Sequence, residues 1–489
     1  MTTNNLNYTK EVMKRFLKPK HMGEIKNPDA IGKVGNAKCG DIMHVYLKIK
    51  DNKLKDVKFK TMGCLPPEEK IVTDKGWIGI SSIKKGDKVF NSEGKITSVK
   101  KIYKKKFSGK LIKIKPFVSK YNGFYVTPEH PILCIKRNSL KKTRISSKKC
   151  NWLRVNEKEL ILATPIYLDA VFLEVGDYLV FPKNAIVKED EKFTNELMRL
   201  IGYYLSEGYI TSNKKYLNFS FHKNEEEYIT EVKKLVKLQG VNSSSQRTRE
   251  NVTELRFYAP LLAKFLLKNC GKYAKEKNLS QKIMNLPFEK QFEMIKTIIN
   301  GDGNTYKRRP NDSLTYRIDT ASEKLAIQIQ QILARGDILA PIKRFEKPES
   351  NINGRKIIAG IIFDLAFKLD KKHNFVKKQK TYFLVPIGEI ESKSYSGRVY
   401  NLEVNGGDPS YLVRGFVVHN CVAAIASSDA VCEIAKGKTI EQALKITKKD
   451  IIKKLGNLPP VKHHCSILGE EALLSAIKDY KSKQGENKK

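Results

Sequence analysis

The residues best suited to chemistry stand at two distant points of the chain and could together cut and rejoin it. Gly63-Cys64 lies near the start, and His419-Asn420-Cys421 lies far downstream. A cysteine can carry the acyl group of a neighbouring peptide bond as a thioester, and an asparagine amide can attack its own main-chain carbonyl and cleave the chain. Joining Gly63 directly to Cys421 would give a strand, a Gly-Cys turn and the start of a helix. Each flank alone has the pattern of half a protein.

The composition sets outer limits on what the chain can do. At ~150 residues per domain, a chain of 489 residues with 40% hydrophobic content predicts about three domains with real cores. A formal net charge of +40 indicates a polyanionic partner, although a generally lysine-rich proteome would leave the same excess. The 8 cysteines are too scattered for a disulfide framework, and no apolar run is long enough to span a bilayer. We therefore expect a cytoplasmic protein with no membrane partner.

The two flanks, residues 1–63 and 421–489, together predict one small α+β domain. Joined end to end, they form a continuous chain of the length of a single small domain. The first flank predicts a β-hairpin and the second is predicted to be helical. The predicted elements are Tyr8–Phe16, Ile42–Ile49, Leu54–Phe59, Ser427–Lys436, Ile440–Leu455 and Gly469–Lys481.

Four stretches of the joined flanks resemble the IscU/NifU-type scaffolds for iron–sulfur cluster assembly. They are Gly32–Asp41, the rejoined Met62-Gly63-Cys421, Ala426-Ser427-Ser428 and Leu458–Cys465. The resemblance implies that the thiols of Cys39, Cys421 and Cys465 hold a cluster, with Asp41 and His464 completing the site. Thiolates suit soft metals and clusters, and an oxygen ligand loosens such a site. The expected cofactor is a transient 2Fe-2S iron–sulfur cluster, or iron or zinc.

The same resemblance implies the partners of the scaffold. The segment Leu458–Lys462 is similar to the one that such scaffolds present to an Hsp70-type chaperone, and its Pro-Pro pair also ends a helix. A cysteine desulfurase and cluster-accepting apoproteins are the other implied partners. All of them would meet the ligated scaffold rather than the insert.

The insert runs from Cys64 to Asn420, and it begins and ends with short strands and turn signals that predict an all-β unit. Four stretches of it resemble, in order, the splicing blocks of inteins, the Hint family. They are Cys64–Thr73, Val126–Ile132, Arg398–Val404 and Tyr411–Asn420. We place this splicing domain at residues 64–185 and 386–420, and we expect it to need no cofactor.

Two side chains are expected to activate the upstream junction. A peptide bond resists a thiol unless its amide is strained or is protonated at nitrogen, and its oxygen is held by hydrogen-bond donors. His130 would therefore act as a general acid beside the Gly63–Cys64 bond, and Thr127 would act as a donor. Gly63 adds no side-chain hindrance to the attack by Cys64.

The downstream junction needs activation of its own. His419 would polarise the carbonyl of Asn420 or assist its side-chain amide during cyclisation, and Cys421 would accept the acyl group. Two positions depart from the intein pattern, because Asn401 stands where an Asp is usual and Pro409 lies near where a His often falls. The first departure predicts weaker coupling between the steps, with slower splicing or more side cleavage.

Residues 190–385 are rich in helix signals and in lysine, and they interrupt the β pattern. Apolar residues recur at helical spacing in Asn195–Ser206 and again in Gln291–Asn300. Each helix ends at an acidic residue beside glycine, which indicates an internal duplication. The predicted fold class is thus multi-domain, with a split α+β scaffold and an all-β splicing domain that is itself split by an α/β domain.

The ends of these two helices resemble the paired motifs of LAGLIDADG homing endonucleases. The resemblance implies that Glu207 and Asp302 come together and hold Mg²⁺ for hydrolysis of a phosphodiester. Thr297 stands where the family prefers Gly, which predicts a poorer close approach on that side. Lys380 is a further candidate, as the basic residue that such enzymes place near the scissile phosphate. Basic stretches predict double-stranded DNA as the partner, unless they are only solvated loops; they are Ser245–Arg249 and Tyr306–Arg309.

Two functions remain open on the sequence alone. In the first, the chain is a precursor that splices itself to release a cluster scaffold, with an endonuclease as a passenger. In the second, it is a stable DNA-binding nuclease whose flanks are a zinc-binding structural domain. Continuity favours the first, because only excision completes the scaffold and Cys64 and Cys421 would otherwise occupy one site in duplicate.

Overall fold

The computed structural model describes most of the chain, and elements are numbered along it. The described residues are 9–17, 19–35, 42–60, 63–128, 130–140, 155–307, 309–352, 355–357, 359–370, 376–406, 408–419, 422–458 and 463–486. Separate apolar cores lie in the flanks, in the two ends of the insert and in its middle, so the chain is multi-domain. Among the helices of these residues, none is both long enough and apolar enough to span a membrane.

The two flanks share one core although the whole insert separates them in sequence. Three antiparallel strands form a sheet in the order β1-β2-β3, and five helices accompany it. The strands are β1 (Ala30–Gly35), β2 (Ile42–Lys50) and β3 (Lys53–Lys60), and the helices are α1 (Lys10–Leu17), α9 (Val422–Ala435), α10 (Ile440–Ala443), α11 (Lys448–Lys454) and α12 (His463–Glu486). A Cβ on Gly32 would lie 2.0 Å from the carbonyl oxygen of Ala472, so glycine lets β1 lie directly on α12. The predicted hairpin is confirmed by the pairing of β2 with β3.

Three predicted helix bounds in the second flank are wrong. α9 begins at Val422 rather than Ser427, because the buried alanines before Ser427 are good helix formers. The predicted single helix over 440–455 is two helices, since Thr439 and Thr447 each form a capping box and start a new one. α12 begins at His463, well before the predicted start at Gly469.

A twelve-stranded sheet occupies both ends of the insert. Its strands are β4 (Lys70–Thr73), β5 (Gly76–Gly79), β6 (Lys88–Phe90), β7 (Ile96–Pro116), β8 (Phe124–Val126), β9 (Pro131–Ile135), β10 (Ile166–Asp169), β11 (Tyr178–Pro182), β22 (Lys377–Lys378), β23 (Tyr382–Val404), β24 (Ser410–Val413) and β25 (Phe416–His419). The expectation of an all-β unit is wrong at one place, because the short helix α2 (Glu157–Leu162) lies in this part of the chain. The side chain of Asn156 caps its N-terminus by accepting two backbone N–H bonds. The boundary drawn at residue 386 falls inside β23, which pairs with both β11 and β7.

The middle of the insert repeats one arrangement of strands and helices. Its sheets run β12-β13-β15-β14 and β16-β17-β21-β18, so the same strand order occurs twice, as the predicted duplication requires. The first copy contains α3 (Asn195–Ser206), β12 (Gly208–Ile210), β13 (Tyr216–His222), α4 (Glu226–Leu238), β14 (Ser244–Arg249), β15 (Val252–Tyr258) and α5 (Pro260–Cys270). The second contains α6 (Gln281–Met284), α7 (Phe288–Asp302), β16 (Gly303–Tyr306), β17 (Thr315–Thr320), α8 (Glu323–Arg335), β18 (Ile342–Lys347), β19 (Ser350–Ile352), β20 (Arg355–Ile357) and β21 (Gly360–Lys368).

Candidate functional sites

The upstream junction is buried, and backbone hydrogen bonds hold the two residues that follow the Gly63–Cys64 bond. Leu65, the residue after Cys64, forms an antiparallel bridge with Tyr400 of β23, through N–H···O distances of 2.8 and 2.7 Å. The amide N–H of Cys64 donates to Oγ1 of Thr127 at 2.8 Å, and the amide of Thr127 donates back to the carbonyl oxygen of Cys64 at 2.9 Å. The predicted role of Thr127 as a donor to the oxygen of the Gly63–Cys64 bond is therefore wrong, because its hydroxyl accepts from the N–H of that bond, which can only donate.

The oxygen side of the same bond is contacted by Asn401. Its side-chain amide donates to the carbonyl oxygen of Gly63 at 2.6 Å. Its own oxygen accepts from the backbone N–H of Leu402 and from the hydroxyl of Tyr411, each at 2.7 Å. Sequence reasoning marked Asn401 only as a departure from a pattern and missed Tyr411. The available signal was that an amide, unlike a carboxylate, can donate to a carbonyl.

His130 completes this cluster. Its side chain is buried, its backbone N–H donates to the carbonyl oxygen of Thr127 at 3.0 Å, and its carbonyl accepts from Ala170 at 3.0 Å. The imidazole ring lies edge-on to Tyr411, with ring centroids 6.5 Å apart. Burial, and next the neighbouring Cys64, raise the pKa of Tyr411 well above its ordinary value. Tyr411 therefore stays a neutral hydroxyl donor inside the cluster.

The downstream junction is approached along β25. His419 is the last residue of this strand, where it pairs with Ser410 of β24, and its ring centroid lies 4.3 Å from that of Tyr167. Val418 pairs with Ile132 of β9, the strand that follows His130. The two histidines therefore lie at the ends of neighbouring strands, His130 directly before β9 and His419 as the last residue of β25. Asn420 and Cys421 lie outside the described residues.

The ends of α3 and α7 are in direct contact in the middle of the insert. Glu207 follows the last residue of α3, and Asp302 is the last residue of α7. A Cβ on Gly301 would lie 2.2 Å from Oγ of Ser206 and 3.1 Å from Cγ of Glu207. Glycine at position 301 therefore allows the approach that brings the two predicted carboxylates to one place.

Burial raises the pKa of both carboxyl groups at this place. Burial, and then the charge of Asp302, raise the pKa of Glu207 to about 7. Burial raises the pKa of Asp302 to about 6, while Lys277 acts in the opposite direction. Burial disfavours the charged form of both carboxylates, and they form a set of oxygen ligands whose charge a divalent cation would neutralise.

A buried lysine that sequence reasoning missed lies at the same place. The Nζ of Lys277 donates to the carbonyl oxygen of Gly208 at 2.8 Å and to that of Tyr204, and it lies 3.4 Å from the centroid of the Tyr204 ring. Burial lowers the pKa of Lys277 to about 7. Lys380, the candidate from the sequence, is exposed, and its carbonyl accepts from Lys183 at 3.1 Å.

The predicted basic stretch in the first copy forms an outer strand. Every residue of β14 is exposed, and Arg247 and Arg249 belong to it. β14 lies at one edge of its sheet beside β15. Such an edge is open to a polyanion along its length.

The predicted cluster ligands of the flanks fall where the structure is not described. Cys39, Asp41 and Cys421 lie outside the described residues, and so do the side chains of His464 and Cys465. Nearby, the imidazole Nε2 of His463 lies 2.8 Å from the carbonyl oxygen of Leu458. Within the part of the chain that the structure describes, no group of three or more His, Cys, Asp or Glu side chains could hold a metal ion.

Comparison with known families identifies two different domains in the chain. The family described as NifU-like N terminal domain matches residues 7–66 and 413–487, and the family described as LAGLIDADG-like domain matches residues 194–268. A NifU-like domain is split around a LAGLIDADG-like domain. The core of the NifU-like domain is the one shared by the two flanks, and Glu207 lies inside the matched part of the LAGLIDADG-like domain.

Individual relatives match different parts of the chain. An iron-sulfur cluster assembly SufBD family protein from Mycobacterium tuberculosis is 32% identical over 377 residues, which are 76% of this chain and 44% of that protein. Iron sulfur cluster assembly protein 1 from Trachipleistophora hominis is 56% identical over 89 residues, 18% of this chain and 64% of that protein. A solved structure of the homing endonuclease I-DmoI is 11% identical, with a TM-score of 0.26, covering 37% of this chain and 86% of that one. The chain spans less than half the length of the first curated relatives it matches.

Proposed function

We propose that the chain is a precursor that excises residues 64–420 and joins Gly63 to Cys421. The observation that carries this proposal is the buried Gly63–Cys64 peptide, whose oxygen and nitrogen are each hydrogen-bonded by a side chain of the insert. The NifU-like match, which breaks off at residue 66 and resumes at residue 413, supports an insertion at this point. The alignment with the mycobacterial protein covers 377 residues, far more than the two flanks contain, so most of it falls within the insert. That relative is named as a SufBD family protein, so a similar insert occurs in a protein whose name differs from that of the NifU-like flanks.

The first step would convert the Gly63–Cys64 amide into a thioester. Sγ of Cys64 attacks the carbonyl carbon of Gly63, the C–N bond breaks, and the thiol proton ends on the freed amine. His130 would deliver that proton to the nitrogen, and Thr127 would keep the amide oriented through its 2.8 Å hydrogen bond. The site is buried, so water competes poorly for the thioester.

The later steps would move the acyl group and release the insert. The Cys421 thiol attacks the thioester, the Cys64 sulfur leaves, and the proton of the Cys421 thiol ends on the Cys64 sulfur. The side-chain nitrogen of Asn420 attacks its own carbonyl carbon and breaks the bond to Cys421, which leaves a cyclic imide and a free amine. That amine attacks the new thioester and restores a peptide bond between Gly63 and Cys421. His419 would assist the cyclisation, and no step needs an oxidant or a cofactor.

We propose that the excised insert hydrolyses double-stranded DNA. Glu207 and Asp302 are a fitting set of ligands for Mg²⁺, because both are carboxylates, they meet at one place, and burial raises the pKa of each. The cation would neutralise charge on a phosphodiester and lower the pKa of a bound water. The chain's own residues would bind the duplex through basic strands such as β14 and hold Lys277 beside the carboxylates.

We propose that the ligated product is a scaffold for iron–sulfur cluster assembly. Its substrate would be a 2Fe-2S cluster, or iron or zinc, held by the thiols of Cys39, Cys421 and Cys465 with Asp41 and His464. Its partners would be a cysteine desulfurase, an Hsp70-type chaperone at Leu458–Lys462 and apoproteins that receive the cluster. The NifU-like match over both flanks supports this part of the proposal.

Expression of the full chain under reducing conditions, followed by mass analysis, tests the splicing proposal. We expect a ligated product with the mass of residues 1–63 joined to 421–489, and an excised product with the mass of residues 64–420. Asn420→Ala should stop release at the downstream bond while leaving an upstream junction that added thiol can cleave. Cys64→Ala should give neither product nor thiol cleavage. A wild-type chain that stays at full length with no detectable thioester would instead favour a stable DNA-binding nuclease with a zinc-binding domain in its flanks.

A further inference from the structure

We propose that Asn401 is a catalytic residue of the first splicing step, as the donor that stabilises negative charge on the carbonyl oxygen of Gly63. This inference rests on the proposed splicing function. Its basis is a hydrogen bond of 2.6 Å from the Asn401 side-chain amide to that oxygen, in a site where Asn401 is 1% exposed. When the thiol of Cys64 adds to the carbonyl carbon, the oxygen becomes an oxyanion, and a hydrogen bond already aimed at it becomes stronger.

The direction of the Asn401 amide is set by its neighbours. Its oxygen accepts two hydrogen bonds of 2.7 Å, from the backbone N–H of Leu402 and from the hydroxyl of Tyr411. Both partners are donors here, so the amide oxygen must face them and the NH₂ group must face Gly63. Because burial keeps Tyr411 protonated, this orientation does not change over the ordinary pH range. Tyr411 is therefore a positioning residue that acts through Asn401.

The amide explains why a departure from the intein pattern can be functional. An ionised aspartate at position 401 would accept from Leu402 and Tyr411 equally well, but its second oxygen would face the oxygen of Gly63. Only a protonated carboxyl could donate there, whereas the asparagine amide donates at every pH. In a buried site such a donor acts at low dielectric and needs no reorganisation during the reaction.

Different side chains form hydrogen bonds at the two ends of the scissile bond. Thr127 contacts the nitrogen of Cys64, and Asn401 contacts the oxygen of Gly63. The step forms the S–C bond and breaks the C–N bond, and the thiol proton ends on the nitrogen. Charge thus develops transiently on the oxygen at the Asn401 end, while proton transfer takes place at the Thr127 and His130 end.

The test measures thioester formation in the full chain carrying Asn420→Ala. Dithiothreitol added to this chain should release residues 1–63 at a rate that reports the first step. We expect Asn401→Ala to slow release by about 100-fold or more, as for loss of one oxyanion donor. Tyr411→Phe should slow it by a smaller factor. Asn405→Ala is the matched control with unchanged release, because its exposed side-chain amide bonds Oγ of Ser98 rather than a group of the junction.

A pH series with Asn401→Asp separates catalysis from a merely structural role. We expect the release rate of this variant, divided by the rate of the parent chain, to rise as pH falls, because only the protonated carboxyl can donate. A flat ratio across pH, or release at the parent rate after Asn401→Ala, would overturn the inference while the splicing proposal stands. Absence of thiol-induced release from the Asn420→Ala parent would overturn both. If Asn401→Ala does not fold, as judged by its thermal unfolding, the isosteric Asp variant decides.

Discussion

Gly202 of α3 and Thr297 of α7 meet where the two helices cross, and a Cβ on Gly202 would lie 1.9 Å from Oγ1 of Thr297. The Thr297 hydroxyl donates to the carbonyl oxygen of Arg199 at 2.9 Å. A hydrogen bond between the helices thus stands where the LAGLIDADG pattern prefers a second glycine. The close approach is asymmetric, with the glycine on one helix and the hydroxyl on the other.

Gly202→Ala should therefore push the two helices apart and destabilise the middle of the insert. The added Cβ would also lie 2.3 Å from the backbone oxygen of Met294, which cannot rotate away. We expect a loss of about 1–3 kcal/mol in the free energy of unfolding, as for overpacking in a core. Calorimetry on a chain kept unspliced by Cys64→Ala and Asn420→Ala measures it. Adding Thr297→Gly should restore only part of the loss, and full restoration would show that the Met294 contact is unimportant.

Removal of either carboxylate should lower DNA cleavage far more than DNA binding. Glu207→Gln and Asp302→Asn each remove one ligand of the proposed cation, while the basic strands that carry affinity stay intact. The substrate is a plasmid carrying the joined Gly63–Cys421 coding sequence, incubated with and without Mg²⁺. Glu196→Gln, in the exposed first turn of α3, is the matched control and should cut normally. If the wild-type insert binds DNA in a salt-sensitive way but does not cut it, the proposal of DNA recognition stands and the proposal of nuclease activity fails.

Lys277 and Lys380 should differ sharply in their effect on cleavage. Lys277 lowers the pKa of Asp302, whereas Lys380 is exposed next to a strand of the twelve-stranded sheet. We expect Lys277→Met to reduce the cleavage rate by at least ~10-fold, in line with loss of a positioned proton donor or charge. Lys380→Met should reduce it less. Equal losses of cleavage rate in the two variants, at equal DNA affinity, would show that Lys380 contributes to cleavage as much as Lys277 does.

The flank domain should lose stability in acid as Glu433 loses its two ion pairs, with Arg15 and with Lys454. Hydrogen bonds from Arg15 and Lys454 outweigh partial burial and lower the pKa of Glu433 to about 2. A carboxylate whose pKa is lowered by folding stabilises the protein above its unfolded pKa of about 4.5, and this stabilisation disappears as pH falls towards 2. Allowing for solvent screening, we expect about 1 kcal/mol.

Thermal unfolding of the ligated chain, residues 1–63 joined to 421–489, between about pH 5 and about pH 2.5 measures this contribution. Glu433→Gln should lower stability at the higher pH and have a much smaller effect at the lower one. Glu471→Gln, an exposed acid on α12, is a suitable control. If the Glu433→Gln chain loses as much stability in acid as the wild type does, other carboxylates are responsible for the loss.

Cluster loading should depend on excision. The insert separates Gly63 from Cys421 along the chain, so we expect the three thiols to converge less readily in the precursor than in the ligated chain. We expect the ligated chain to accept an iron–sulfur cluster or Zn²⁺, and Cys39→Ala to abolish this. Visible absorption and metal analysis after anaerobic reconstitution measure it. Equal loading of the precursor kept unspliced by Cys64→Ala and Asn420→Ala would contradict the dependence.

Local patterns were sufficient for much of the architecture. The period of apolar residues predicted α3 and the alternation of residues predicted the β2–β3 hairpin, because both depend on neighbours in sequence. Motif order predicted a NifU-like domain split around a LAGLIDADG-like domain, because residue types and spacing are read directly along the chain. Helix ends were less predictable, since the capping boxes at Thr439 and Thr447 compete with an uninterrupted apolar pattern.

The sequence by itself determined which residue types are available for acyl transfer and for cation binding, and in what order they occur. Only the tertiary structure decided that the Asn401 amide meets the oxygen of Gly63, 338 positions away, and that Lys277 lies beside the ends of the two paired helices. Such contacts depend on which distant strands pair and how closely helices approach. They arise from packing of the whole chain, so no local pattern of residues carries them.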